Sequence, residues 1–196
     1  MATIDAFNIN GFVENMKGDG ARPNLFKIEF QDQSASVGES FTLRAESSAL
    51  PGSTIGVASA FYFGREAKFA GNRRFDDWTV QILNDEIDYK EGPRHYLELW
   101  MNKLNGHIEN KRVNKDFVDP SNYMKDGYIT HYGKSGDIIG KYTMVKCFPT
   151  SISPINLSWD ANDQIERFSV TFAMQWWEAS SGSTDVTGNN SPSPTE

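Results

Sequence analysis

A single cysteine, Cys147, in 196 residues excludes an intrachain disulfide. It also fits assembly in a reducing compartment. No window approaches the ~18 apolar residues that a spanning helix requires, so no membrane anchor is expected. The opening MATIDAFNINGF lacks a basic stretch leading into an apolar one, so no secretory leader is expected. Basic residues are in the minority, 19 against 26 acidic, for a net charge of -7. Proteins that grip nucleic acid displace counterions with a basic patch. The densest basic stretch here, Lys111 to Lys115, lies between acidic residues and reads as a solvated loop. Charges act over only ~8 Å at physiological salt, so only those lining a surface beside DNA would matter to it.

The usual signatures of catalysis are also missing. His95, His107 and His131 have no cysteine or carboxylate at metal-ligand spacing. There is no Gly-rich phosphate loop, G-x-S-x-G elbow or HExxH. A glycosidase needs two carboxylates facing across a cleft. The adjacent acids Asp76-Asp77 and Asp85-Glu86 point to opposite faces of a strand. Cys147, between Lys146 and Phe148, reads as a packed residue rather than a nucleophile. The expectation is a non-enzyme with no cofactor and no metal.

What is present is material for a core: 38% apolar and 13% aromatic residues. Ile4 to Met16 reads as a short helix or arm, broken at Gly18-Asp19-Gly20. Period-two alternation predicts strands at Phe26–Phe30, at Phe41 to Ala45 and at Phe75 to Leu83, the last with Trp78, Val80 and Ile82 on one face. Phe61, Phe63 and Phe69 suggest a long hairpin interrupted at Gly64. The period changes over Tyr89 to Leu104, where Tyr96, Leu97, Trp100, Met101 and Leu104 fall at helical spacing between Gly92-Pro93 and Asn105-Gly106. A polar loop, 106–126, follows. Strands return at Gly127 to Tyr132 and Ile138 to Phe148. The final strand places Phe168, Val170, Phe172, Met174 and Trp176 on one face against Ser169, Thr171, Ala173 and Gln175. Burying each large side chain is worth ~1.5–3 kcal/mol before entropy is charged, so that face is expected to be covered. Ser180 to Glu196 has one large apolar residue, Val186, too little to order itself alone. These signals divide the chain into an arm (1–20), a mainly β domain (21–178) and a Ser/Gly/Pro-rich tail (179–196). The tryptophans Trp78, Trp100, Trp159, Trp176 and Trp177 suit core and interface packing, with a sugar-binding β-sandwich as the rival reading.

Four segments carry a family resemblance: ARPNLFKIEF (21–30), ALPGSTI (49–55), AGNRRFDDWTVQILNDE (70–86) and LSWDANDQIERFSVTFAMQWWE (157–178). In this order and spacing, the chain resembles the tail tube proteins of T-even-like contractile-tailed bacteriophages. The resemblance implies a β-sandwich or barrel-like fold with one flanking helix. Part of each subunit would join a lumenal β-barrel in a hexameric ring, and rings would stack into a tube inside a contractile sheath. The implied partners are further copies of the chain, the sheath protein, a tape-measure protein, baseplate and terminator proteins, and DNA passing through the lumen. An acidic or neutral lumen would let DNA pass without sticking, and lumen-facing positions are expected to carry more Asp and Glu than Lys and Arg. Candidate assembly residues are Arg22, Arg73 and Arg74, pairing with Asp76, Asp77 or Asp160 across subunits, with Trp78 turned inward. The hairpin near Ile55 to Ala70 is the candidate for reaching a neighbouring ring. A related alternative is the tube of a phage-derived device that delivers protein.

Overall fold

The computed structural model describes residues 9–16, 20–30, 44–86, 92–112, 118–181 and 184–185. In chain order these form α1 (Ile9–Asn15), β1 (Phe26–Phe30), β2 (Ala45–Ser48), β3 (Ser53–Tyr62), β4 (Arg65–Phe75) and β5 (Trp78–Leu83). Then come α2 (Pro93–Leu104), α3 (Pro120–Tyr123), β6 (Lys125–Tyr132), β7 (Ile138–Ile152), β8 (Arg167–Ala173), β9 (Trp176–Ser181) and β10 (Thr184–Asp185). The architecture is mainly β, as the alternation predicts.

The long strand β7 organises it. Its first part pairs with β6 on one side and β9 on the other, while its end pairs with β8. One antiparallel sheet is thereby bent into two faces, β1-β6-β7-β9-β10 and β7-β8-β5-β2. The bend falls at Lys146, whose φ is 55. The Lys146 N–H donates to the Asp126 carboxylate at 2.8 Å. The β6–β7 register slips there, between Lys125 and Gly127. Such a bulge sharpens twist and lets one strand turn the corner between two packed sheets.

The two inner faces and α2 enclose the core. Ile28, Ile129, Met144 and Cys147 come from one face, Trp78, Val80, Ile82, Phe168, Val170 and Phe172 from the other, and Leu97 and Trp100 from α2. The buried indoles keep their polar ends satisfied. Trp78 Nε1 donates to Ser48 Oγ at 2.8 Å, and Trp100 Nε1 to the Tyr123 carbonyl at 3.0 Å. A Cβ on Gly127 would lie 2.6 Å from Trp78 Cζ3, so β6 crosses the indole only because it carries no side chain there.

Helix α2 starts at Pro93, with Gly92 as its N-cap and proline in the first turn, where a missing N–H costs nothing. It ends as the Asn105 N–H bonds the Met101 carbonyl. The 106–126 loop carries α3, capped by Asp119, which accepts from the Ser121 N–H at 2.9 Å. Phe41 and Leu43, the Tyr89 end of the helix reading, the first part of the arm and residues 186–196 of the tail lie outside the described residues.

Two strand readings change. The stretch Phe75 to Leu83 is not one strand: Phe75 closes β4 and Trp78 opens β5. Between them the Asp76 N–H bonds the Gly52 carbonyl at 3.2 Å, which locks the base of the β3–β4 hairpin and reorients the chain. The final strand stops at Ala173, so Trp176 does not share a face with Phe168, Val170 and Phe172. The Gln175 N–H bonds the Val145 carbonyl and the chain crosses to the other sheet face, where β9 begins. Alternation is reset by that crossing. Met174 is partly buried against the core, Trp176 is 37% exposed with Nε1 on Glu178, and Trp177 packs on Tyr142 and Phe75 instead.

Candidate assembly surfaces

The most exposed part of the described chain is the β3–β4 hairpin. Its strands pair only with each other and form a separate two-stranded sheet. Every residue of β3 is exposed, and only Phe75 of β4 is partly covered. At ~3.3 Å per residue, ten paired residues carry it about 30 Å from the body. Tyr62 and Arg65 pair across a two-residue loop, Phe63-Gly64, with φ of 47 and 78. That is the left-handed pair of a tight turn matched to strand twist. Ile55, Val57, Phe61, Tyr62, Phe63 and Phe69 stay 53–92% exposed. A lone two-stranded hairpin is marginal in water, and so much bare apolar surface marks an interaction site.

The hairpin leaves the sheet at one defined end. Trp78 pairs with Phe172 there, and Leu83 with Arg167 at the other end. The loop from Ser153 to Glu166 lies at that second end. The Ser153 N–H bonds the Ser169 carbonyl, and the Asn84 N–H bonds the Glu166 carbonyl. The loop is pinned by Arg167 Nε to both Glu46 oxygens at 3.0 and 2.8 Å, and by Asn84 Nδ2 to Glu166 at 2.8 Å. Leu157, Trp159 and Ile165 are 82, 104 and 59% exposed. The Ser158 hydroxyl bonds Asp160 and holds its carboxyl below the usual carboxylate range.

The residues singled out from sequence are dispersed. Arg73, Arg74, Asp76 and Asp77 sit at the hairpin base, all exposed. Asp160 lies at the opposite end of the sheet. Arg22 is near the start of β1, its carbonyl 2.7 Å from His131 Nε2. Among the described residues, none of these arginines forms an ion pair with any of these acids within the subunit. Trp78 is fully buried and serves the core. Sequence reasoning missed the Leu157-Trp159-Ile165 patch. Its signal was an apolar pair flanking Ser158 in a stretch without strand or helix period. It also left open that Ile9, Phe12, Val13 and Met16 of α1 would be exposed together, at 44–68%.

The outer face of β5 and β8 is different again. Ser47, Thr79, Gln81, Ser169 and Thr171 cover its middle, all uncharged, with the Arg167–Glu46 pair at the Leu83 end. Ser47 bonds Gln81, and the Thr79 and Thr171 hydroxyls meet at 3.4 Å. No group of three or more His, Cys, Asp or Glu among the described residues could hold a metal ion. Among the described residues no helix is long and apolar enough to cross a membrane. The one thiol, Cys147, is buried, and burial pushes it up to about 12.

The same fold is found in chains of two contractile assemblies. A chain of the extended sheath–tube complex of the extracellular contractile injection system PVC shares it at TM-score 0.61, with 14% identity, covering 86% of this chain and 97% of that one. The cap that terminates the anti-feeding prophage tube shares it at 0.58, again with 14% identity, over 83% and 91%. The chain belongs to the phage tail tube protein family, whose model matches residues 10–180. It is 32% identical over 162 residues to the tail tube protein gp19 of Enterobacteria phage T4, covering 82% of this chain and 93% of that protein. Members of the family are structural components of the virion tail.

Proposed function

We propose that this chain builds the inner tube of a contractile phage tail as hexameric rings that stack head to tail, and that it catalyses no reaction. Membership of the tail tube family, together with the free hairpin, carries this reading. A heterologous contact between unlike surfaces propagates an open filament, and the chain has such surfaces at opposite ends of one sheet. Closing each ring pairs the exposed strand edges in a defined way instead of leaving them to aggregate.

The outside of the tube meets the sheath, its ends meet baseplate and terminator proteins, and its lumen holds the tape-measure protein during assembly. Sheath–tube, cap, baseplate and terminator complexes are the setting of the fold's relatives. The polar Ser47-Thr79-Gln81-Ser169-Thr171 face lines the lumen, where its cation Arg167 is already paired with Glu46 and so offers DNA little to bind. Arg22, Arg73, Arg74, Asp76, Asp77 and Asp160 act across subunit boundaries and set register, since exposed pairs contribute only ~0–1 kcal/mol each. Electron microscopy of the purified protein across a concentration series tests the reading. Rings at low and tubes at high concentration are expected, with Asp77→Ala shortening the tubes. A protein that stays monomeric throughout overturns it. The same result with glycan binding through Trp159 would favour the sugar-binding alternative, although Trp78 and Trp100 are spent on the core.

A further inference from the structure

We propose that Trp177 is a positioning residue: from β9 in one sheet face it braces the base of the β3–β4 hairpin, which continues the other face, and so fixes the direction in which that hairpin leaves the body. Its use in assembly rests on the stacked-tube reading, whereas the brace itself is a property of the single subunit. Strands β2 and β5 run on into β3 and β4, but the two ladders are separate. The first ends at the Ser48–Val80 pair and the second begins at Ser53–Phe75. Residues 49–52 and 76–77 join them without strand structure. Two short connections side by side make a hinge unless something outside the ladders holds them.

Trp177 supplies that hold. Its Nε1–H donates to the Gly52 carbonyl at 3.2 Å. The same carbonyl accepts from the Asp76 N–H at 3.2 Å, so its two lone pairs tie both connections to β9. The indole also meets the Phe75 ring edge-on, with centroids 6.3 Å apart and planes at 80°. Phe75 is the one residue of the two hairpin strands that is not exposed. On its other side the indole lies 6.0 Å from the Tyr142 ring and packs against the core, opposite Met144 in the β7–β9 register. Among the described residues, the side-chain hydrogen bond and the ring contact that join the hairpin base to the other sheet face both come from Trp177.

The length of the arm makes its base angle matter. At ~3.3 Å per residue the hairpin reaches about 30 Å, so a rotation of about 10° at the base carries the tip about 5 Å. That is one strand spacing, enough to miss a partner registered to the original position. Trp176 shows that a tryptophan at this point of the chain is not sufficient. It precedes Trp177 on the opposite face of β9, is 37% exposed, and spends its Nε1–H on Glu178. Only the indole on the core side reaches the hairpin base.

Distances within unassembled subunits test the brace. Spin labels go on Lys68→Cys in the hairpin and on either His95→Cys in α2 or Lys27→Cys in β1, all exposed positions, while the buried Cys147 stays unlabelled. Double electron–electron resonance, below the concentration at which rings form, is expected to give one narrow distance for each pair. Trp177→Leu and Phe75→Ala are each expected to at least double the width of both distributions, with circular dichroism showing the β fold retained. Trp176→Leu is expected to leave the widths unchanged. Wild-type widths in Phe75→Ala overturn the brace even if Trp177→Leu fails to fold, and so does equal widening by Trp176→Leu. Without labels, Trp177→Leu is expected to form rings but at least tenfold fewer tubes by electron microscopy. Wild-type yields of tubes from a subunit with widened distances overturn the role in assembly. Wild-type protein that forms no tubes overturns the tail-tube reading, and the subunit distances still decide the brace.

Discussion

Single residues decide how the core closes, and Cys147 shows it most directly. Its side chain is fully buried, and its thiol bonds the Met144 carbonyl at 3.3 Å. Burial penalises the thiolate most, a backbone hydrogen bond from Gly127 partly offsets it, Asp126 adds to it, and the group moves up from 9.0 to about 12. The neutral form is favoured in the fold. This contribution to stability is therefore intact below pH about 9 and is lost as pH rises from there toward 12, because the unfolded chain ionises first. A thiol-specific reagent at pH 8 is expected to modify the folded protein at least a hundredfold more slowly than the protein in denaturant. Rapid labelling of the native protein would show that the thiol is accessible. At this scale the sequence was informative where neighbours alternate: Trp78, Val80 and Ile82 announced their buried face. It was silent on Gly127, because no local pattern says that an indole from another strand crosses that point.

Elements were legible in proportion to the regularity of their period. Helix α2 and strand β5 follow patterns that local chemistry enforces, down to Pro93 at the first turn. The hairpin was legible from its aromatics and Gly64, but its exposure was not, since an apolar alternation reads the same whether it covers a core or a partner. The β8–β9 break was hidden because Trp176 and Trp177 are both apolar, and either can continue the pattern. The corner at Lys146 leaves no trace, since lysine does not advertise a positive φ. The hairpin also uses Phe63, 92% exposed, where turn chemistry favours Asn. A hairpin held only by its own ladder opens easily, whereas β5 and β8 share the global stability. Amide hydrogen exchange on the unassembled subunit is expected to be at least tenfold faster across Ser53–Phe75 than across β5 and β8. In tubes the hairpin amides are expected to become protected to the level of the core strands. Equal protection before and after assembly would mean that the hairpin gains no partner.

At the scale of the whole molecule, the net charge of -7 matters less than where charge is missing. DNA carries one charge per ~1.7 Å of duplex and binds wherever lysines or arginines replace its counterions. A tube that conducts DNA must present few such groups to its lumen, yet stay wet. The Ser47-Thr79-Gln81-Ser169-Thr171 face meets both demands: its Arg167 is paired with Glu46, the Ser47 hydroxyl donates to the Gln81 amide oxygen, and the Thr79 and Thr171 hydroxyls meet across β5 and β8. If that face lines the lumen, placing one lysine on it in every subunit repeats the charge around each ring and along every ring of the stack. Thr171→Lys suits the purpose, since Thr171 is only partly covered and its lysine stem can lie along the sheet with the ammonium in water. Tubes of this variant, assembled in the presence of short duplex DNA, are expected to hold nuclease-resistant DNA at low salt and to release it as salt rises. Wild-type tubes are expected to hold none. The nuclease separates the inside from the outside: a lysine on the outer wall would bind DNA that remains open to digestion. Normal Thr171→Lys tubes that protect no DNA would place this face away from the channel.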